Sequence, residues 1–149
     1  MDDVIYAPMS AADVASVIAL HKECELEPWT EEGYLNSLND PEFIAITAKL
    51  NNKLVGFVAA RLITSECLCE IFNIATTPSQ RRKKIGEGLL LELFKLLGGE
   101  IDRIWLEVRE SNHPAVSFYE KNGFEIVGKR NNFYRNPEEN ALLMQKTIG

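Results

Sequence analysis

The chain has 149 residues, 46% of them hydrophobic, and 16 Lys and Arg against 22 Asp and Glu give a formal net charge of −6. That length and apolar content suit one compact domain, 1–149, with a sizeable core, whereas an acidic balance is poor material for a nucleic-acid interface, which needs a basic stripe. No apolar run reaches membrane-spanning length, Met1-Asp2-Asp3-Val4 lacks the features of a secretory signal, and Cys24, Cys67 and Cys69 have no disulfide-framework spacing, so the expected compartment is the cytoplasm.

Ile5-Tyr6 open a first strand, and Ser10 is placed to cap a helix whose apolar positions Val14, Ala15, Val17 and Ile18 run to about Cys24. Glu27-Pro28-Trp29-Thr30 is a break. Thr30 followed by Glu31-Glu32 suits a second helix start, with Tyr34, Leu35 and Leu38 on one face and an end near Asn39-Asp40-Pro41. Phe43 to Leu50 and Lys53 to Leu62 read as strands joined by a tight turn at Asn51-Asn52. A further turn through Thr64-Ser65-Glu66 leads to a strand from Cys67 to Ala75, which puts Cys67 and Cys69 on one face as structural thiols. Thr77-Pro78 ends that strand, because proline cannot donate to the ladder.

The next helix carries the apolar run Leu89 to Leu97 and stops at Gly98-Gly99. A strand from Arg103 to Val108 follows. Ser111 or Asn112 caps another helix, with Pro114 in its first turn and Gly123 beyond its end. Glu125 to Gly128 and Ala141 to Gln145 are the final strands, separated by a polar loop that carries Phe133 and Tyr134. The order is α+β: early helices, an antiparallel meander, then alternating strands and helices. His21 and His113 are the two histidines, far apart in sequence, so no metal site is expected.

One segment runs against ordinary helix physics. Arg81-Arg82-Lys83-Lys84 precede Ile85-Gly86-Glu87-Gly88 where a helix begins, and cations in a first turn cost roughly 0.3–1 kcal/mol each against the helix dipole. The free amides of that turn form an anion site, and glycine lets a phosphate approach closely. A phosphate-bearing small ligand explains the run; a solvated basic surface is the alternative. The segment lacks the Gly-Lys-Ser/Thr ending of a nucleoside-triphosphate loop.

Across nearly its whole length the sequence resembles the GNAT acetyltransferase superfamily. Arg81-Arg82-Lys83-Lys84-Ile85-Gly86 stand at that family's Gln/Arg-x-x-Gly-x-Gly/Ala cofactor motif, with Lys84 where the first glycine is usual. Glu70-Ile71-Phe72-Asn73-Ile74-Ala75, Trp105-Leu106-Glu107-Val108-Arg109, Phe118-Tyr119-Glu120-Lys121-Asn122-Gly123-Phe124 and Arg130-Asn131-Asn132-Phe133-Tyr134 are similar to its RimI-type branch, as is Trp29 after Pro28. That branch modifies the N-terminal alanine of a small-subunit ribosomal protein. The resemblance implies a mixed, mostly antiparallel sheet flanked by helices, with splayed central strands holding acetyl-CoA as cosubstrate. It implies cofactor contacts from Asn73, Ile74, Ala75, Arg81, Arg82, Lys83, Lys84, Ile85, Gly86, Asn112 and Tyr119. The partner it implies is a protein N-terminus, not a nucleic acid or a membrane.

Acetyl transfer to an amine needs a proton acceptor, an oxyanion donor and a proton for the departing thiolate. Glu107, inside the apolar strand Ile104 to Val108, is the candidate base; the other reading is a solvent-facing residue of an alternating strand. Tyr119 is the candidate acid, its ordinary pKa of about 10 lying near a thiol's ~8.5; the other reading is a core tyrosine beside Phe118. The resemblance favours the functional reading of both. Asn112 serves as a helix cap, a pantetheine contact or both, and the Ala75 amide is the candidate oxyanion donor. Trp29, Pro28, Tyr34 and the loop from Arg130 to Arg135 are candidates for a peptide cleft, with a core role the alternative for Trp29. The rival functions are acetylation of a lysine or small amine, and a catalytically silent CoA-binding regulator.

Overall fold

The structure, a computed structural model, describes residues 3–81 and 84–148. Its elements are β1 (Val4–Pro8), α1 (Val14–Glu23), α2 (Glu31–Leu38), β2 (Phe43–Leu50), β3 (Lys53–Ile63), β4 (Leu68–Thr76), α3 (Ile85–Leu96), β5 (Arg103–Arg109), α4 (His113–Lys121), β6 (Glu125–Tyr134) and β7 (Glu139–Thr147). The strands form one seven-stranded sheet in the order β1-β2-β3-β4-β5-β7-β6. The β4–β5 pair is parallel and β1–β2, β2–β3, β5–β7 and β6–β7 are antiparallel, which is the mixed, mostly antiparallel sheet expected. Two compact units divide the chain, Met1–Leu62 with Phe72–Leu97, and Ile63–Ile71 with Gly98–Gly149.

In the first unit, Ser10 opens a short 3-10 turn, donating its N–H and hydroxyl to Asp13 at 2.9 and 3.1 Å, and Asp13 pairs with Lys49 of β2 at 2.8 Å. Thr30 caps α2 by accepting the Gly33 N–H at 2.9 Å. The turn at Asn51-Asn52 needs a left-handed backbone, and both asparagines have it, with φ of 52° and 64°. Ile85, Leu89, Leu90 and Leu93 recur at helical spacing and are all buried, the face of α3 that points inward. Gly88 explains itself by packing: a Cβ there would lie 2.0 Å from the Tyr6 hydroxyl of β1. Its smallness therefore admits Tyr6, a role separate from any phosphate.

The second unit holds β5 against β7 through seven paired positions from Arg103↔Thr147 to Arg109↔Ala141. The parallel register of β4 and β5 runs from Leu68↔Arg103 to Ile71↔Leu106, and each strand continues beyond it, to Thr76 and to Arg109. Pro114 lies in the first turn of α4 and Gly123 follows the helix with φ of 92°.

Two sequence expectations are corrected here. Cys67 is not in a strand beside Cys69: it takes φ of 56° after a 3-10 turn at Thr64–Glu66, and its carbonyl accepts the Asp102 N–H at 2.9 Å. Cys69 alone is buried, which pushes its thiol up to about 12. The polar segment after Gly128 is strand, not loop, because β6 pairs with β7 through Lys129↔Leu142, Arg130↔Ala141 and Tyr134↔Glu139. A register shift between Arg130 and Tyr134 absorbs the extra residues, with Asn132 at φ of 53° donating its N–H to the Asn140 side chain at 2.9 Å.

Candidate active site

The anion turn belongs to the first unit. β4 ends at Thr76, and the Thr77 N–H is anchored on the Val55 carbonyl at 2.8 Å. Arg81 is exposed; its guanidinium donates to the Thr76 carbonyl at 3.3 Å and to the Cys24 sulfur at 3.5 Å. Arg82 and Lys83 lie outside the described residues. Lys84 is the N-cap of α3 and sits at φ 61°, ψ 20°, with no side-chain cap. A lysine therefore takes the left-handed geometry that a glycine adopts freely, at a cost of about 1–2 kcal/mol. Backbone strain held at such a turn points to a use for its shape. The first helical bond is Gly88 N–H to the Lys84 carbonyl at 3.0 Å, so the amides of Ile85, Gly86 and Glu87 have no acceptor within the helix.

Asn73 and Ile74 are half-buried and Ala75 is buried at the end of β4. The Asn73 side chain lies near enough to the Tyr34 hydroxyl to lower its pKa slightly against burial. Tyr34 is bonded to His21, whose other ring nitrogen lies 3.1 Å from the Glu27 carbonyl. That carbonyl can only accept, so His21 Nδ1 carries the proton and Nε2 accepts from Tyr34. Burial pushes the His21 pKa down and the Tyr34 pKa up, consistent with a neutral pair. Tyr34 is fully buried, and Trp29 stacks among Tyr34, Phe43 and Phe72. Tyr34 therefore belongs to the core of this unit, and half-buried Trp29 packs against that core. Sequence reading missed the Glu27–His21–Tyr34 chain because His21 and Tyr34 are joined only by a tertiary contact.

In the second unit, β5 alternates cleanly: Ile104, Leu106 and Val108 are buried, while Trp105, Glu107 and Arg109 lie half-buried on the opposite face. The Glu107 side chain is only 15% exposed, and its Oε2 is buried without a hydrogen-bond partner. Arg130 Nε lies 3.6 Å from that oxygen, an ion pair too long to be a hydrogen bond. Burial raises the Glu107 pKa and Arg130 partly offsets it. Arg109 clasps the β6–β7 turn, donating to the Pro137 and Arg135 carbonyls at 3.0 Å each and stacking 4.4 Å above the Tyr134 ring.

Asn112 caps α4 by accepting the Ala115 N–H at 3.3 Å and is exposed. Tyr119 is 8% exposed, flanked by Phe118 and Phe124 with ring centroids at 5.4 and 5.5 Å. Burial, and secondarily the Tyr134 phenol, push its pKa above the ordinary value. The near match to a thiol expected from unperturbed values is thus lost: Tyr119 keeps its proton firmly, and giving it up is more uphill. Arg130, expected in a loop and among the candidates for a peptide cleft, lies on β6 instead, and its pairing with Glu107 is what sequence reading missed. Its signal was a cation in a segment rich in aromatic and polar residues, but the link to Glu107 depends on register across β5, β7 and β6.

The chain thus carries a mixed seven-stranded sheet, a left-handed turn opening α3 in the first unit and a half-buried carboxylate on β5 in the second. Residues 14–124 match the acetyltransferase (GNAT) family, and the chain belongs to that family. It is 33% identical to the ribosomal protein bS18-alanine N-acetyltransferase of Haemophilus influenzae, over 94% of this chain and 96% of that one. Its likeness to the Escherichia coli enzyme of the same name is 27% over 94% and 95%. The crystal structure of the Escherichia coli ribosomal-protein-S18-alanine N-acetyltransferase superposes with a TM-score of 0.87 at 25% identity, covering 99% of this chain and 95% of that chain.

Proposed function

We propose that residues 1–149 work as one acetyltransferase domain that moves an acetyl group from acetyl-CoA to the α-amine of an N-terminal alanine on a small-subunit ribosomal protein, in the cytoplasm. The observation that carries this reading is the likeness, at 33% identity over nearly the full length of both chains, to an enzyme named for that reaction. The chemistry of the residues supports it. Acetyl-CoA supplies an acetyl group activated as a thioester. The first-turn amides of Ile85, Gly86 and Glu87 suit its diphosphate, as does the run of cations Arg81 to Lys84 in the sequence just before them, and the backbone from Asn73 to Ala75 suits its amide-bearing arm by strand-like pairing. Asn112 is assigned a contact to the same arm.

Glu107 takes the proton from the amine so that the nitrogen lone pair can form the new C–N bond. The Ala75 N–H faces the negative charge that develops on the carbonyl oxygen. As the C–S bond breaks, Tyr119 delivers a proton to the thiolate, an uphill transfer given its burial, and regains one at the end of the cycle as Glu107 loses the proton it took from the amine. An α-amine with pKa ~7.7–8.0 needs only about 1 kcal/mol to be neutral at pH 7, against nearly 5 kcal/mol for a lysine at ~10.4. One half-buried carboxylate is adequate for the first and poorly matched to the second.

The test is a set of peptides alike except for the first residue (alanine, serine or methionine), with one whose α-amine is blocked and which carries an internal lysine. With acetyl-CoA and mass readout, the alanine peptide gains one acetyl group fastest. Acetylation of the blocked lysine peptide, or of a small amine in preference to all of them, overturns the assignment.

A further inference from the structure

Among the described residues, Glu107 is ion-paired across the sheet with Arg130, which is itself held in place. The Arg130 guanidinium carbon lies 5.7 Å from the Trp105 ring centroid and 5.6 Å from that of Phe133, within cation–π range of both. From there its Nε reaches to 3.6 Å from Glu107 Oε2, the oxygen without a hydrogen-bond partner. Arg130 sits on β6, two strands from Glu107, and is carried there by the pairings Arg130↔Ala141 and Glu107↔Leu143 on the intervening β7. We propose that Arg130 is the positioning residue for Glu107: a guanidinium braced on two aromatic rings that keeps a buried carboxylate ionised while leaving its lone pairs open to a proton. This rests on the reading of Glu107 as the base.

The surroundings support that division of labour. Burial alone drives Glu107 toward its protonated form, in which it cannot accept a proton, and Arg130 is the group that opposes burial. The Glu107 neighbour on β7 is Leu143, which carries no charge. Arg109, on the same face of β5, is engaged with Glu139 and the turn carbonyls of Arg135 and Pro137. A close, linear hydrogen bond from Arg130 would occupy the oxygen that must receive the proton. A 3.6 Å ion pair supplies the field without filling the acceptor. Side-chain exposure of 50% at Arg130 screens the pair, so the effect is modest in size.

The experiment compares wild type with Arg130→Met, Arg130→Lys and Glu107→Gln in the full chain. The carboxyl carbon of Glu107 is followed by NMR titration without substrates, and kcat/KM is followed against pH with the alanine peptide. In Arg130→Met the Glu107 titration moves to higher pH, and the acid limb of kcat/KM moves with it. The loss at pH 6 relative to pH 8 deepens by about threefold, the order expected of a half-exposed ion pair. Arg130→Lys, which keeps the charge, restores most of both shifts, a rescue that a purely structural role does not predict. An unmoved Glu107 titration in a folded Arg130→Met protein overturns the proposal while leaving the base reading intact. If Glu107→Gln keeps full activity, the base reading fails, and the role assigned to Arg130 falls with it.

Discussion

Replacing Glu107 by glutamine has opposite consequences for activity and stability. The side chain is 15% exposed and its Oε2 has no hydrogen-bond donor, so the ionised group is poorly solvated in the folded state. Its pKa is raised, chiefly by burial, with Arg130 offsetting part of the effect. The sign follows from linkage: the native protein holds this proton more tightly than the unfolded chain does. The stabilisation from the protonated form is fully present below the unfolded pKa and is lost as pH rises through the raised folded value. A neutral amide of the same shape keeps that stability at pH 7. Allowing for screening and the lost ion pair, the gain is on the order of 0.5 kcal/mol, or roughly 1–2 °C in Tm for a chain of this size. Loss of the base proposed here lowers kcat by about 10²-fold or more. Thermal melts at pH 7 and at pH 4, beside steady-state kinetics, measure both. The Tm advantage of Glu107→Gln is present at pH 7 and shrinks at pH 4, where the wild-type carboxyl is protonated. A variant that loses activity and stability together at pH 7 refutes the reasoning, since Glu107 would then be a structural group.

Tyr119→Phe removes the phenol proposed as proton donor from a position already flanked by Phe118 and Phe124; kcat falls by about 10²-fold with acetyl-CoA affinity retained in calorimetry, and loss of affinity with turnover kept would contradict the donor role. Lys84→Gly relieves the left-handed strain at φ 61° and raises stability by about 1 kcal/mol, or about 2–4 °C in Tm, while acetyl-CoA still binds. Gly88→Ala drives a methyl to 2.0 Å from the Tyr6 hydroxyl and costs about 1–3 kcal/mol in chemical denaturation. Pairing it with Tyr6→Leu returns most of that loss.

Much of the framework was legible because local chemistry agrees with the fold. Thr30, Asn112, Pro114 and Gly123 mark helix ends by capping and by backbone freedom, and Asn51-Asn52 mark a turn that demands positive φ. The alternation of Ile104, Leu106 and Val108 with Glu107 exposed the one acidic residue in an apolar strand. What escaped has a common cause. The reach of β6 was hidden by a register shift through polar residues, and Cys67 left the strand for a turn. Lys84 occupies a glycine conformation that no propensity scale assigns to lysine. The His21–Tyr34 pair and the Arg130–Glu107 pair arise from contacts between segments distant in sequence, which spacing along the chain does not encode.

Chemical selectivity for an α-amine is the heart of the account, and tandem mass spectrometry on a single peptide probes it directly. The peptide begins with alanine, has a free α-amine and carries an internal lysine, and it is treated with acetyl-CoA and the purified protein. Acetyl is predicted on the N-terminal nitrogen, with the lysine unmodified. Acetyl on the lysine with a free terminus contradicts the account.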